Sequence, residues 1–172
     1  MTTEVSAAQS QTLLSDLLAF SMLMPSALDE ALRAEANLPL FEFTVLAVLA
    51  RAPERTATMS RVAESTHSSP SRLSHAASRL EARGLMERGA CATDRRSVNA
   101  RLTDAGALAV ECAIPVYNAH LNRLVVDRLC ESDQGDLARL LRRLLEGGVI
   151  GAGSCESADE EHTIARSDVP VE

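Results

Sequence analysis

The sequence predicts a mostly α-helical fold with one small β-hairpin, and three observations predict it. Of the 172 residues, 46% are hydrophobic but only 2% are aromatic, so the core must be built from Leu, Ala, Val and Met, which favours helices. Apolar positions recur at helical spacing over long stretches, as at Leu137, Leu140, Leu141, Leu144 and Leu145. Between Gly84 and Thr103 that spacing gives way to two short runs, Leu85 to Arg88 and Val98 to Leu102, separated by Gly89 to Arg96. The length supports one ordinary domain or two small lobes, with ample chain for a core.

Residues 1–9 are small and polar and are expected to fray. A first helix follows on Leu13, Leu14, Leu17, Leu18, Met22, Leu28 and Leu32, with a kink or break expected at Pro25. Asn37-Leu38-Pro39 ends it. Pro39 is expected in the first turn of a second helix, whose buried stripe is Phe43, Leu46, Ala47 and Ala50, and Pro53 closes that helix. A third helix should start near Thr58 and turn Met59, Val62 and Ala63 inward. Thr66 to Ser68 form a turn.

Ser69 is a natural N-cap for a fourth helix, with Pro70 as its first residue. At about 100° per residue, Leu73, Ala76, Ala77 and Leu80 share its inner face. Ser71, His75, Ser78 and Arg79 face outward, flanked by Arg72 and Ser74, with no carboxylate before Glu81. Gly84 supplies the left-handed residue that ends the helix. After the hairpin, Thr103-Asp104 caps a long helix toward Cys130, bent or opened at Pro115. Ser132-Asp133 caps the last helix and Gly147-Gly148 stops it. The acidic tail of residues 148–172 should be mobile.

Charge picks out the same region. From Arg55 to Arg101 nine arginines face four acids, a local net of +5, in a chain whose total is −7 and whose remainder is therefore −12. A basic island in an acidic protein marks where a polyanion binds. All 17 basic residues are arginine; arginine suits phosphate and base contacts, although base composition of the genome is the better explanation of the bias. A polar helix, a Gly turn and an Arg-tipped hairpin, in that order, form a winged helix-turn-helix. In that arrangement one helix enters the major groove and the wing reaches the backbone or minor groove.

The chain resembles the MarR family of bacterial winged helix-turn-helix transcriptional regulators. The resemblance is carried by Leu73-Ser74-His75 with Arg79-Leu80-Glu81, by Arg83-Gly84-Leu85-Met86-Glu87-Arg88, by Asp94-Arg95-Arg96, and by Leu102-Thr103-Asp104-Ala105-Gly106. It extends over roughly residues 10 to 147 and implies a homodimer on a pseudo-palindromic double-stranded DNA operator. It also implies a repressor released by a small aromatic or phenolic effector. Two departures stand out: His75 occupies a position where the family commonly has an arginine, and the turn before Ser69 lacks the usual glycine.

On this reading residues 39–102 form the DNA-binding lobe, and residues 10–38 and 103–147 form a helical dimerisation lobe. The DNA-contact candidates are Ser69, Ser71, Arg72, Ser74, His75, Ser78, Arg79, Asp94, Arg95 and Arg96. By family analogy Arg96 is the groove residue and Arg95 its structural partner. The serines could donate to phosphate or simply be exposed, and His75 could touch DNA or be a surface histidine. Cys91 is either a passive loop thiol or a redox switch, whereas Cys112 and Cys130 fall in apolar patterns and are expected to pack. Tyr117 and His120 could face a ligand cleft or the dimer seam.

No HExxH, phosphate loop, GxSxG or nucleophile–base–acid set is present, so an enzyme is not expected. The four cysteines lack zinc spacing, so neither metal nor cofactor is expected. No signal peptide or spanning run is found, which predicts a cytoplasmic protein without membrane partners. Two alternatives stay open: a thiol-redox regulator acting through Cys91, and a winged-helix module that binds another protein.

Overall fold

The computed structural model describes residues 7–90 and 98–146. The described residues divide into two compact units, with the boundary between Asp136 and Leu137. Among the described residues the helices are α1 (Ala7–Ala36), α2 (Leu40–Arg51), α3 (Met59–Ser65), α4 (Pro70–Ala82), α5 (Asp104–Leu124) and α6 (Glu131–Glu146). The strands are β1 (Thr56–Thr58), β2 (Met86–Ala90) and β3 (Val98–Leu102). The mostly helical class with a small sheet is the one the composition predicts.

The break expected at Pro25 is absent, since α1 runs continuously through it. Proline deletes one N–H, whose partner would be the Ser21 carbonyl, and Ser21 is exposed, where losing that bond costs least. The same reasoning covers Pro115, across which α5 is also unbroken, because Glu111 four residues earlier is exposed. Downstream of Pro25, burial of Leu28 and Leu32 anchors the second half of α1. The helix ends where Asn37 turns left-handed at φ 49°, letting the Leu38 N–H reach the Leu32 carbonyl at 3.2 Å.

Pro39 caps α2 from outside rather than sitting in its first turn. Phe43 and Leu46 are buried and Ala47 is half-buried, but Ala50 is exposed. The buried arc instead centres on Glu42, Val45, Leu46 and Leu49, because α1, α4, α5 and β3 all pack around this helix. Leu32, Leu38, Leu46, Leu49, Val62 and Leu80 belong to one core cluster.

Strand β1 was not expected. Its three residues pair antiparallel with β3 (Thr56↔Arg101, Thr58↔Asn99), giving the order β1-β3-β2. Strand β2 starts one residue later and runs two residues further than predicted, in register Met86↔Leu102 to Ala90↔Val98. Leu85 is excluded because its N–H closes the end of α4 onto the Leu80 carbonyl, while its own carbonyl accepts from the Thr103 N–H.

Gly106 fixes the start of α5 against this junction. A Cβ added there would lie 2.0 Å from the Leu85 carbonyl oxygen. Thr103 caps α5 by accepting from the Gly106 N–H at 3.0 Å and donates its hydroxyl to the Gly84 carbonyl at 2.7 Å. Helix α5 stops at Leu124, short of Cys130, and α6 begins at Glu131, ahead of the expected Ser132-Asp133 cap.

Cys112 and Cys130 are exposed, not packed, so exposure does not single out Cys91. Tyr117 packs on Phe43 with ring centroids 5.1 Å apart and planes tilted by 34°, and His120 Nε2 lies 2.8 Å from Glu35 Oε1, joining α5 to α1. Cys91, the Gly147-Gly148 stop, residues 1–6 and the acidic tail lie outside the described residues, whereas residues 7–9, expected to fray, form the start of α1. Among the described residues no helix is long and apolar enough to cross a membrane.

Candidate nucleic-acid interface

Helices α3 and α4 form the helix-turn-helix. Thr58 caps α3 by accepting from the Arg61 N–H at 3.3 Å. The turn that follows lacks glycine, and His67 takes the left-handed place itself at φ 47°. Its N–H donates to the Glu64 carbonyl and the Ser68 N–H to the Ala63 carbonyl, at 3.0 and 2.9 Å, the paired bonds of a helix stop. The missing glycine therefore changes the residue and keeps the turn.

Ser69 caps α4 by accepting from the Arg72 N–H at 3.3 Å, so its hydroxyl is engaged in holding the helix end. Leu73, Ala76, Ala77 and Leu80 are buried. Ser71, Arg72, Ser74, His75, Ser78 and Arg79 are all exposed, which is the division of faces the spacing predicts. Gly84 ends the helix at φ 68°, with its N–H on the Glu81 carbonyl at 2.8 Å. Asp94, Arg95 and Arg96 lie outside the described residues.

The exposed face is held from behind by residues that sequence reasoning missed. Arg72 stacks over the Phe41 ring, its guanidinium carbon 4.1 Å from the centroid. Arg79 donates from Nε to Glu42 Oε1 at 2.7 Å. Arg83 donates from Nη1 to Glu42 Oε2 at 3.1 Å and from Nη2 to the Asn37 carbonyl at 2.7 Å. Glu42 is only 2% exposed, so two guanidinium groups compensate one buried carboxylate. A signal for it existed: Glu42 is an acid in line with Val45, Leu46 and Leu49 on an otherwise apolar stripe.

Two further carboxylates order the surroundings. Arg88 on β2 bonds Glu81 on α4 and also donates from Nη2 to Ser78 Oγ at 3.0 Å. The Arg88 hydrogen bond holds the Glu81 carboxyl below the usual carboxylate range. Asp29 on α1 accepts from the Leu40 N–H at 2.8 Å and pairs with Arg33. Burial pushes the Asp29 carboxyl up, but the bonds from Arg33 and Leu40 outweigh it and hold it low. Between α1, the first turn of α2 and α4 lies an open groove of about 790 Å³. Pro25, Leu40 and Phe41 give it apolar wall, Arg72 and Arg79 give it positive charge, and Arg33 lines it paired with Asp29.

The MarR family profile matches residues 36–97. Sco3205, a MarR family transcriptional regulator from Streptomyces coelicolor solved in complex with DNA, is 30% identical with a TM-score of 0.78. That match covers 84% of this chain and 91% of Sco3205. AbsC, a MarR family transcriptional regulator from the same organism, is 27% identical with a TM-score of 0.76, over 85% of this chain and 97% of AbsC. BpsR of Bordetella bronchiseptica, whose DNA binding is regulated by 6-hydroxynicotinic acid, shares the fold at 20% identity and a TM-score of 0.68, over 78% and 98% of the two chains. No curated protein sequence matches the chain.

Proposed function

The chain belongs to the MarR family of transcriptional regulators, and from that premise we propose that it is a dimeric repressor whose α4 enters the major groove of a pseudo-palindromic operator and whose DNA is released by a small effector. The observation that carries the reading is the outward face of α4. Six exposed polar residues, Ser71 to Arg79, include two arginines and no acid. The Ser71 and Ser74 hydroxyls can donate to phosphate, whereas Ser78 already donates to the Ser74 carbonyl at 3.1 Å, and arginine offers guanine a bidentate fork. Ser69 contributes by fixing the helix end, and in the segment between β2 and β3 Arg96 is assigned to the backbone or minor groove, with Arg95 as its structural partner and Asp94 orienting the pair by an ion pair. The DNA complex of Sco3205 supports a DNA partner here.

Residues 39–102 form the DNA-binding lobe in this proposal, and residues 10–38 and 103–147 carry dimerisation. Leu13, Leu14, Leu17, Leu18, Phe20 and Leu23 are exposed along α1, a contiguous apolar surface of the kind that partner chains cover. A second copy with two-fold symmetry would bury it and place two α4 helices on one face of DNA. The effector is a small aromatic acid or phenol bound in the groove beside α4. Pro25 and Leu40 would take its ring and Arg72 and Arg79 its oxygen atoms. Because Arg72 and Arg79 also face DNA, an anion there competes directly with the operator.

The test is enrichment of duplexes from a random-sequence library by the full chain, followed by gel shifts across a salt series. The expected result is one symmetric enriched site, with log Kobs falling linearly as log salt rises. Enrichment of nothing, with binding insensitive to salt, would overturn the reading.

A further inference from the structure

We propose that the first turn of α2 is a positioning device for DNA recognition: Phe41 and Glu42 hold the guanidinium groups of Arg72 and Arg79 in their reading orientations. The inference rests on the DNA-binding reading above and adds two residues that touch no DNA. The supports are consecutive in sequence, whereas the arginines they hold are seven residues apart, close to two turns along one face of α4. Two adjacent α2 side chains thus set both ends of the exposed face.

The contact chemistry leaves the reading groups available. Glu42 engages Arg79 through Nε, leaving the end-on pair of terminal nitrogens on a side chain that is 59% exposed. Phe41 holds the Arg72 guanidinium carbon 4.1 Å from its ring centroid, and a phenyl ring offers no oxygen acceptor to compete with a base for the N–H groups. An arginine already held in place loses less rotamer freedom on binding than one that samples solvent.

The supports are themselves fixed. Glu42 is buried and is held on its second oxygen by Arg83, which also grips the Asn37 carbonyl at the end of α1. The Leu40 N–H is bonded to Asp29 on α1. Among the described residues His75, between the two arginines, has no comparable partner. Charge gives the device a signature. Arg79, Arg83 and Glu42 together carry +1, so neutralising Glu42 makes the face more positive while loosening Arg79. Discrimination should then fall without loss of general DNA affinity, an outcome that mere destabilisation of the fold does not produce.

The experiment compares the full chain with Glu42→Gln, Phe41→Leu, Arg79→Gln, Arg72→Gln and the doubles E42Q/R79Q and F41L/R72Q. Each is titrated with the duplex enriched by the native chain and with a scrambled duplex. Glu42→Gln and Phe41→Leu should each lower the ratio of the two affinities about tenfold, within the range of one lost bidentate base contact. Scrambled-duplex affinity should hold or, for Glu42→Gln, rise. Each double should be no worse than its arginine variant alone. Unchanged ratios, or parallel loss on both duplexes with additive doubles, would overturn the proposal while leaving the DNA reading intact. If the native chain enriches no sequence, the DNA reading falls and takes the proposal with it. Should Glu42→Gln fail to fold by circular dichroism, Phe41→Leu and its cycle with Arg72 decide the matter.

Discussion

Arg88 grips Glu81 twice: its backbone N–H donates to Oε1 at 2.9 Å and its Nε to Oε2 at 2.7 Å. The pair ties strand β2 to the last turn of α4, so the hairpin and the helix proposed to read DNA share one polar joint. Because Arg88 lowers the Glu81 pKa in the folded state, the joint contributes stability above the unfolded carboxyl value and loses it as pH falls through the lower folded one. On the acid side of about pH 4.3 the melting temperature of the native chain should therefore fall more steeply than that of Glu81→Gln. Parallel curves would show that this carboxylate does not report on folding.

The Glu42 cluster should respond unevenly to truncation. Arg79→Ala alone should cost less than about 1 kcal/mol, because its side chain is 59% exposed and Arg83 still compensates the carboxylate. Removing both arginines strands a buried charge and should cost about 3 kcal/mol or more. Adding Glu42→Met to that double should recover most of the loss. Urea unfolding measures all three, and a triple variant no more stable than the double would contradict the account.

Gly106 and Gly135 make an opposed pair. Gly106→Ala drives a methyl group into the Leu85 carbonyl and should destabilise by about 1–3 kcal/mol, as overpacking does. At Gly135, inside α6, an added Cβ meets nothing within 4 Å. Gly135→Ala should stabilise by roughly 0.5–1 kcal/mol through helix propensity. Thermal melts of the two variants should move in opposite directions, and a neutral Gly106→Ala would mean that the junction yields.

The exposed apolar side of α1 tests the proposed dimer. Leu14→Glu with Leu18→Glu places charges at positions 64% and 61% exposed, where the single chain tolerates them but a self-complementary apolar interface does not. Sedimentation should show dimers for the native chain and folded monomers or aggregates for the double variant. A dimer of undiminished affinity would move the interface elsewhere.

The sequence by itself determined the elements whose signals are local. Pro70 behind Ser69, the inner set Leu73, Ala76, Ala77 and Leu80, and Gly84 at the end specify α4 and its outward face, since cap chemistry and helical period act within a few residues. The same holds for Thr103 at the start of α5. Strand β1 escaped because three half-buried residues carry no period, and its pairing of Thr56 with Arg101 joins distant chain. Ala50 and Cys112 were misplaced because a periodic stripe shows which residues share a face but not how wide an arc the neighbours cover. Only the tertiary structure brought Glu42 to Arg79, 37 residues away, and Phe41 to Arg72. A buried carboxylate must find its counter-charge wherever packing supplies one, and packing decides which faces meet.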